Sequence, residues 1–270
     1  CREAPMAEPE AISRVHDAAL IGRIESLAPT EGRAQVDPDT AMNPFSLEAA
    51  QRAAGAVLSA TDAVMAGDLG NAFCSVRPPG HHAERDQSMG FCLFSNVAVA
   101  ALYAVETYGL ERVAIVDFDV HHGNGTEDCV QHDERILFCS SFQHPYYPGG
   151  YLPNVPGRRV NVPLPAGTGS QAFREAIEQH WWPALRDFRP QLLFISAGFD
   201  AHREDPLASL NLEDEDYLWV TRELCALAGE FAEGRIVSAL EGGYALSALG
   251  RSARMHVEAL LEATGASLRA

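Results

Sequence analysis

Short apolar runs with β-strand character alternate along the chain with longer segments of helical periodicity. The strand-like runs cover residues 72–76, 113–118, 136–140, 192–196 and 236–240. The helix-like segments cover residues 46–65, 96–108, 170–188 and 214–231. Strands that alternate with helices predict a parallel sheet with helices on both faces. A chain of 270 residues can bury one large core, so we expect a single domain over residues 1–270.

One segment breaks this alternation. It runs from Pro145 to Gly169, is rich in Pro and Gly, and is too short to separate two domains. We therefore predict an ordered loop region there.

The composition excludes several classes of protein. A formal net charge of −17 argues against nucleic-acid binding, which requires a basic surface. The longest uninterrupted apolar run, Val97 to Val105, is far too short to cross a bilayer. The six cysteines form no CxxC pair, which favours a reduced, cytoplasmic protein, and a homo-oligomer is compatible with this composition. Because the first residue is Cys1 rather than Met, we expect the start of the gene product to lie upstream.

Polar residues follow four of the predicted strands at the point where each strand ends. These four clusters are Arg77 to His82, Asp117 to His121, Ala197 to Asp200, and Gly242 to Tyr244. In open α/β sheets, ligands bind beyond the carboxyl ends of the strands. We therefore expect the clusters to converge on one crevice, although they are more than 160 residues apart in the sequence.

The second cluster contains ionisable residues at alternate positions, Asp117, Asp119 and His121. Strand alternation would place the three side chains on one face. Because unpaired buried charge is very costly, a bound cation is one explanation, and a solvated strand end with a salt bridge is equally good from this segment alone. Asp119 and His121 would be two of the three ligands of a catalytic zinc site, and Asp200 can supply the third. A set with two carboxylates is compatible with Zn²⁺ and also with Fe²⁺ or Co²⁺.

Five motifs occur in order along the chain. They are Arg77-Pro-Pro-Gly-His-His-Ala83, Gly90-Phe-Cys-Leu-Phe94, Val116-Asp-Phe-Asp-Val-His-His-Gly-Asn-Gly-Thr126, Ser196-Ala-Gly-Phe-Asp-Ala201 and Leu240-Glu-Gly-Gly-Tyr244. Together they resemble the zinc-dependent histone deacetylase family, most of all its class II and bacterial deacetylase-like branch, over roughly residues 37–260. The resemblance implies the arginase/deacetylase fold, a three-layer α/β/α sandwich with a central, mostly parallel sheet of about eight strands. The family's first strand and loop, before Val15 and His16, are expected to be shortened or missing.

The resemblance also implies a catalytic mechanism. Asp119, His121 and Asp200 would hold the metal, which polarises the acetyl carbonyl and lowers the pKa of a water molecule. His82 would accept that water's proton and later protonate the leaving amine. Tyr244 would donate its hydroxyl to the developing oxyanion.

The resemblance also implies partners for the tandem histidines, His81 and His82. His81 would be hydrogen-bonded to Asp117 and act mainly through its charge. Asn124 stands where some branches of the family have an Asp, and a neutral partner should leave His82 less basic. Class II members share this Asn.

The resemblance further implies a narrow acyl-lysine channel and a second ion. Phe91 and Tyr147 would form the aromatic walls beside Gly90, although Tyr146 is an alternative to Tyr147. Leu207 and Asp39 would lie at the rim, where Asp39 would bind the substrate backbone; a plain Asx turn explains Asp39 equally well. The structural monovalent-cation site, expected to hold K⁺, is implied at Asp117, Asp119, His121 and Ser140.

The function implied is removal of acetyl or short acyl groups from the ε-amine of lysine in peptides or proteins. An acetylpolyamine deacetylase is the alternative, but Leu207 provides no acidic group for a distant ammonium. A catalytically silent acyl-lysine binder is a further alternative. A binuclear manganese hydrolase of the same fold is disfavoured, because Gly123 and His202 stand where a second metal needs carboxylates.

Overall fold

The computed structural model describes residues 2–265. Its strands are β1 (Ala34–Gln35), β2 (Ala41–Met42), β3 (Asn71–Cys74), β4 (Val113–Asp117), β5 (Ile136–Gln143), β6 (Arg159–Leu164), β7 (Leu192–Ala197) and β8 (Ile236–Leu240). Its helices are α1 (Pro9–Ile12), α2 (Ala18–Leu27), α3 (Ser46–Met65), α4 (Asn96–Tyr108), α5 (Asn124–Val130), α6 (Ser170–Phe188), α7 (Asp214–Phe231) and α8 (Leu246–Ala263). No helix in this part of the chain combines the length and the apolar character needed to span a membrane.

Strands β3 to β8 form one parallel sheet in the order β3-β8-β7-β4-β5-β6. This sheet has six strands within residues 2–265, so the expectation of about eight strands is wrong for the described chain. The residues before β3 add no strand to it, because they form α1, α2, α3 and a separate antiparallel pair, β1 and β2.

The sheet is covered by helices on both faces, which confirms the predicted three-layer α/β/α sandwich. Ala114 and Val116 of β4 pack into the core that holds the apolar residues of α6, α7 and α8. Their neighbours Val113 and Ile115 pack into the opposite core, with α3 and α4. Every residue of β4, β5 and β7 is buried. A parallel strand buried on both faces requires a continuous apolar run, which is the pattern that the sequence shows.

The predicted bounds of four helices agree with the structure. Helices α3, α4, α6 and α7 begin and end at the predicted residues, and Gly109 ends α4 in the left-handed conformation. The prediction of a loop from Pro145 to Gly169 is wrong, because β6 lies within it. This strand pairs only with β5, at the edge of the sheet, and Pro163 is tolerated there. Helices α5 and α8 were not predicted.

The sheet order explains why the four polar clusters meet. They follow β3, β8, β7 and β4, which are four consecutive strands of the sheet. All four strands run in the same direction, so the loops after them leave from one edge. The predicted convergence of these clusters is therefore a direct consequence of the parallel topology.

His256 of α8 joins three elements on the face opposite α3 and α4. Its Nε2 lies 2.9 Å from Ser238 Oγ of β8, and its Nδ1 lies 2.7 Å from Thr221 Oγ1 of α7. The side chain is completely buried. Burial lowers the pKa of His256 to about 3, so the folded protein holds this imidazole in its neutral form.

We predict that His256 makes the protein less stable as the pH falls below about 6.5. The unfolded chain binds a proton there and the folded chain does not, so stability present at pH 7 decreases by about 1.4 kcal/mol per pH unit. His256→Gln should reduce the difference in unfolding free energy between pH 7 and pH 5 by about 2 kcal/mol, measured by urea denaturation. The control His180→Gln, at an exposed position of α6, should keep the wild-type difference. An unchanged pH dependence in His256→Gln would contradict the assignment.

Candidate active site

The segment after β4 is a turn rather than a continued strand. Strand β4 ends at Asp117. The backbone N–H of Asp119 donates to Asp117 Oδ1 at 3.1 Å, and that of His121 donates to Asp119 Oδ1 at 2.9 Å. The argument from strand alternation is therefore wrong beyond Asp117. Two successive side chain-to-backbone turns form this segment instead, and the second returns the His121 ring to Asp119.

Asp119, His121 and Asp200 form a cluster with one ligand atom from each residue, all within 4.8 Å of one another. His121 Nδ1 lies 3.1 Å from Asp119 Oδ1 and 3.2 Å from Asp200 Oδ2. Both carboxylates are buried. Asp200 Oδ2 is close to the imidazole but makes no hydrogen bond of acceptable geometry. A buried carboxylate oxygen without a hydrogen bond is costly, and a divalent cation would satisfy it.

Two glycines allow the backbone to approach these carboxylates. A Cβ atom on Gly198 would lie 2.0 Å from Asp119 Oδ2, and one on Gly242 would lie 2.2 Å from Asp200 Oδ2. The backbone N–H of Gly242 donates to Asp119 Oδ2 at 2.8 Å, and that of Val120 donates to Asp200 Oδ1 at 2.9 Å. These bonds leave one face of each carboxylate free. The donor set, the unpaired oxygen and the glycine walls fit a single divalent metal ion.

The electrostatics of the cluster require a positive charge between the two carboxylates. Burial and the neighbouring charge of Asp119 raise the pKa of Asp200 to about 6. Burial alone would lower the pKa of His121, but the nearby carboxylates of Asp119 and Asp200 raise it to about 11. A metal ion would supply that charge and take His121 Nδ1 as a neutral ligand.

The tandem histidines have different partners. His81 Nδ1 lies 3.0 Å from Asp117 Oδ2, and His82 Nδ1 lies 2.7 Å from Asn124 Oδ1. The two rings are 4.0 Å apart, and both side chains are buried. Asn124 Nδ2 donates to Glu84 Oε1 at 2.6 Å, which fixes the amide with its oxygen toward His82. His82 therefore carries its proton on Nδ1, and its Nε2 is free to accept another.

Burial and the surrounding charges separate the pKa values of the pair. Burial alone would lower the pKa of His81, but the charges of Asp119 and Asp117 raise it to about 10. Burial and the adjacent charge of His81 place the pKa of His82 well below its ordinary value. The result is one imidazolium beside one neutral imidazole, an arrangement typical of acid–base sites.

A narrow cavity of about 180 Å³ opens onto these groups. Its lining residues come from six loops and are Asp39, His82, Gly90, Phe91, His121, Tyr146, Tyr147, Leu207 and Tyr244. All five residues expected at the channel lie around this cavity. Burial and the carboxylates of Asp119 and Asp200 raise the pKa of Tyr244, so its hydroxyl remains a hydrogen-bond donor.

The rim of the cavity is held in an unusual backbone conformation. Gly90 has φ 58° and Phe91 has φ 66°, and a Cβ atom on Gly90 would overlap the His82 ring. Asp39 Oδ1 accepts the N–H of Gly90 at 3.0 Å, and Thr40 Oγ1 accepts that of Phe91 at 3.0 Å. The Asx turn considered for this segment is present as well, at Asp37. Asp39 thus stabilises the turn that contains Phe91, and the Phe91 side chain is 44% exposed.

Of two further residues of the site, Tyr146 was predicted only as an alternative to Tyr147, and Asp205 was not predicted from the sequence. Tyr146 stacks on the ring of His121, with centroids 5.6 Å apart, and donates its hydroxyl to the carbonyl of Leu207. Asp205 accepts the N–H groups of Tyr244 at 2.7 Å and of Leu207 at 3.0 Å. The sequence could not distinguish Tyr146 from Tyr147, and both line the cavity. Asp205 acts across 39 residues of sequence, a distance over which no local pattern is visible.

The residues expected to bind a monovalent cation lie directly beside the candidate metal cluster. Asp117 and Ser140 are register partners on the adjacent strands β4 and β5. The Ser140 hydroxyl lies 3.2 Å from His122 Nδ1. Asp119 and His121 follow Asp117 in the same turn. The monovalent-cation site at these four residues stays a prediction.

We predict that the purified protein binds one divalent metal ion per chain through Asp119, His121 and Asp200. Asp200→Asn removes a ligand charge, so its metal content, measured by elemental analysis, should fall at least tenfold after dialysis. The control Asp187→Asn, at an exposed position of α6, should retain the wild-type content. Two tightly bound manganese ions per wild-type chain would contradict the prediction.

Comparison with known proteins places the chain among deacetylase-like sequences. The family model described as histone deacetylase domain matches residues 1–260. The chain is 43% identical over 244 residues to an uncharacterized protein of Synechocystis sp., covering 89% of this chain and 78% of that protein. It is 41% identical over 250 residues to a histone deacetylase-like amidohydrolase of Pseudomonas aeruginosa, covering 90% of this chain and 66% of the relative.

Other relatives are much longer, and a solved structure shares the fold. The chain is 41% identical over 248 residues to type-2 histone deacetylase 2 of Dictyostelium discoideum, but it covers only 15% of that protein. The crystal structure of the HDA15 HD domain superposes with a TM-score of 0.88 and 32% sequence identity. The superposition covers 97% of this chain and 75% of the HDA15 chain.

Proposed function

Because the chain belongs to the histone deacetylase family, we propose that it is a metal-dependent amidohydrolase that removes acetyl or other short acyl groups from the ε-amine of lysine in peptides or proteins. The observation that carries the proposal is the convergence of three kinds of group on one narrow cavity. These groups are the metal-binding cluster, the neutral imidazole of His82 and the hydroxyl of Tyr244. In a metal-dependent amidohydrolase these groups would activate the water, accept its proton and stabilise the oxyanion.

Asp119, His121 and Asp200 are the proposed ligands of Zn²⁺, with Fe²⁺ or Co²⁺ as alternatives for the same donor set. A metal ion held there would polarise the acyl carbonyl and lower the pKa of a water molecule. The proposal includes a structural K⁺ at Asp117, Ser140 and the turn after β4. Such an ion would offset the charge of a second buried carboxylate next to the first site.

His82 is the proposed general base, because its Nε2 is unprotonated and faces the cavity. It would take a proton from the attacking water and give it to the leaving amine. His81, paired with Asp117, would keep a positive charge beside it. Tyr244 would donate its hydroxyl to the carbonyl oxygen as negative charge develops.

The shape of the cavity supports a slim amide substrate. The His82 and Tyr147 rings are perpendicular, with centroids 5.1 Å apart, and the Phe91 and Tyr244 rings are 6.1 Å apart. Aromatic walls of this kind suit the apolar methylene chain and the flat amide of an acyl-lysine. A silent binder is less well supported, because the proposed base, oxyanion donor and metal ligands are all present.

We predict that Tyr244→Phe keeps the bound metal and loses about 10²–10³-fold in kcat on an acetyl-lysine peptide. The hydroxyl acts on charge that develops only in the transition state, so KM should change much less than kcat. Tyr108→Phe, an exposed substitution on α4, is the matched control and should leave both parameters unchanged. A Tyr244→Phe enzyme with near wild-type kcat would refute the oxyanion role.

The rim supports acyl-lysine over acetylpolyamines as the substrate class. Leu207 is 40% exposed at the rim and offers no charge to a distant ammonium. Asp39 is the carboxylate at this rim among the cavity-lining residues, and its Oδ1 is already engaged by Gly90 and Thr40. The acetylpolyamine alternative therefore requires Asp39 to be the carboxylate that pairs with the distant ammonium of the substrate.

We predict a higher kcat/KM for acetyl-lysine peptides than for N-acetylspermidine or N-acetylputrescine. Leu207→Glu should raise kcat/KM for the acetylpolyamines by one to two decades, since a charge-assisted hydrogen bond contributes ~1–3 kcal/mol. Leu207→Gln, which is polar but uncharged, separates the effect of charge from that of polarity and should give little gain. A tenfold wild-type preference for either acetylpolyamine would make the alternative function the correct one.

The cytoplasmic location is also a proposal. Five cysteines are free and buried within the described chain, namely Cys74, Cys92, Cys129, Cys139 and Cys225. Unpaired cysteines are typical of a reducing compartment. The proposed partner is an acylated primary amine, with no role for nucleic acid or membrane; a homo-oligomer is compatible with the proposal.

A further inference from the structure

Glu241 connects the end of β8 to the loop that carries the tandem histidines. Its Oε2 accepts the backbone N–H of Gly80 at 2.7 Å and that of His81 at 3.2 Å. Its Oε1 accepts the hydroxyl of Ser196, at the end of β7, at 2.9 Å. The residue is only 7% exposed and does not line the 180 Å³ cavity.

The loop has a specific need for this carboxylate. Gly80 and His81 lie beyond the end of β3, where the sheet no longer supplies hydrogen-bond acceptors for their N–H groups. Both amides are buried, and a buried N–H without an acceptor costs about 1–3 kcal/mol. The backbone of Gly80 already lies close to Asn96 and cannot move toward it. A Cβ atom built on Gly80 would lie 2.5 Å from the backbone nitrogen of Asn96. The Glu241 side chain is therefore the acceptor that fixes this backbone.

The position of this backbone determines where both imidazoles lie. The His81 ring must reach Asp117 at 3.0 Å, and the His82 ring must reach Asn124 at 2.7 Å. His82 N donates only to Cys92 Sγ, at 3.5 Å, which is a weak contact. The N–H groups one and two residues before His82 thus make stronger hydrogen bonds than that of His82 itself. A shift of the backbone there would move the proposed base relative to the cavity.

We propose that Glu241 is a positioning residue for the His81–His82 pair, an inference that rests on the proposed hydrolase function for its kinetic consequence. It does not line the cavity, and its side-chain hydrogen bonds go to Gly80, His81 and Ser196 and not to the metal-binding cluster. A displacement of about 1 Å at a reacting group can cost ~10²-fold in rate. Substrate binding depends on the aromatic walls, so the loss should be in kcat rather than in KM.

Two substitutions separate position from charge. Glu241→Gln keeps the length of the side chain: its amide oxygen can accept both N–H groups, and its NH₂ can donate to Ser196 Oγ. Glu241→Asp keeps the negative charge but is one methylene too short to span the same contacts. Positioning predicts that Glu241→Gln stays within about threefold of the wild-type kcat, whereas Glu241→Asp loses ~10–100-fold with KM little changed.

Ser196→Ala is the matched control for a merely structural effect. It removes one hydrogen bond to Glu241 but leaves both loop amides paired, so it should lower the stability without moving the loop. Its kcat should remain that of the wild type although its Tm falls. Metal content, measured on every variant, should stay at one ion per chain.

A spectroscopic measurement on the metal-loaded protein tests the inference independently of turnover. The imidazole N–H resonance of His81, hydrogen-bonded to Asp117, should keep its chemical shift in ¹⁵N-histidine-labelled Glu241→Gln and move or broaden in Glu241→Asp. If the wild type hydrolysed no acylated amine, the proposed function would be wrong. These spectra would still test whether Glu241 positions the two histidines. Glu241→Asp with wild-type spectra and kcat, or Glu241→Gln impaired more than Glu241→Asp, would overturn it.

Discussion

Two buried carboxylates at the end of the sheet are the constraint on which the rest of the site depends. Asp119 and Asp200 follow the adjacent strands β4 and β7, and almost no solvent reaches either side chain. Two such charges are unstable together unless a cation lies between them. The backbone N–H groups of Gly242 and Val120 donate to them, and a Cβ atom at residue 198 or 242 would overlap the carboxylates. The fold thus maintains a binding site for positive charge, and the other functional groups are placed around it.

The tandem histidines show how one loop can hold two side chains of the same type in different protonation states. His81 faces the carboxylate of Asp117, whereas His82 faces the neutral amide of Asn124. In a low-dielectric interior the difference between a charged and a neutral partner decides where the proton resides. The imidazolium of His81 also lowers the pKa of His82, which favours the neutral form of that ring.

Local patterns in the sequence predicted the features that local forces decide. The bounds of α3, α4, α6 and α7 follow from helical periodicity and stop residues, and the convergence of the four polar clusters follows from parallel topology. The number of strands in the sheet was not predicted correctly. It was taken from the family as a whole, whereas the described part of this chain has six strands. Strand β6 was missed although Val160, Val162 and Leu164 alternate with other residues, because it lies in a segment rich in Pro and Gly. Asp205 and Glu241 support loops 39 to 161 residues away, and only the folded structure reveals such contacts.

The negative net charge of the chain should attract the proposed product more strongly than the proposed substrate. All 20 basic residues are arginines, so no side chain in residues 1–270 carries the primary amine whose acylated form the cavity is proposed to accept. A second copy of this chain therefore cannot compete as a lysine substrate. An acyl-lysine amide is neutral, whereas free lysine is cationic at neutral pH, so a net charge of −17 attracts the product rather than the amide. Selection among neutral amides must then come from short-range contacts, and in this chain those are the aromatic walls and the apolar rim at Leu207.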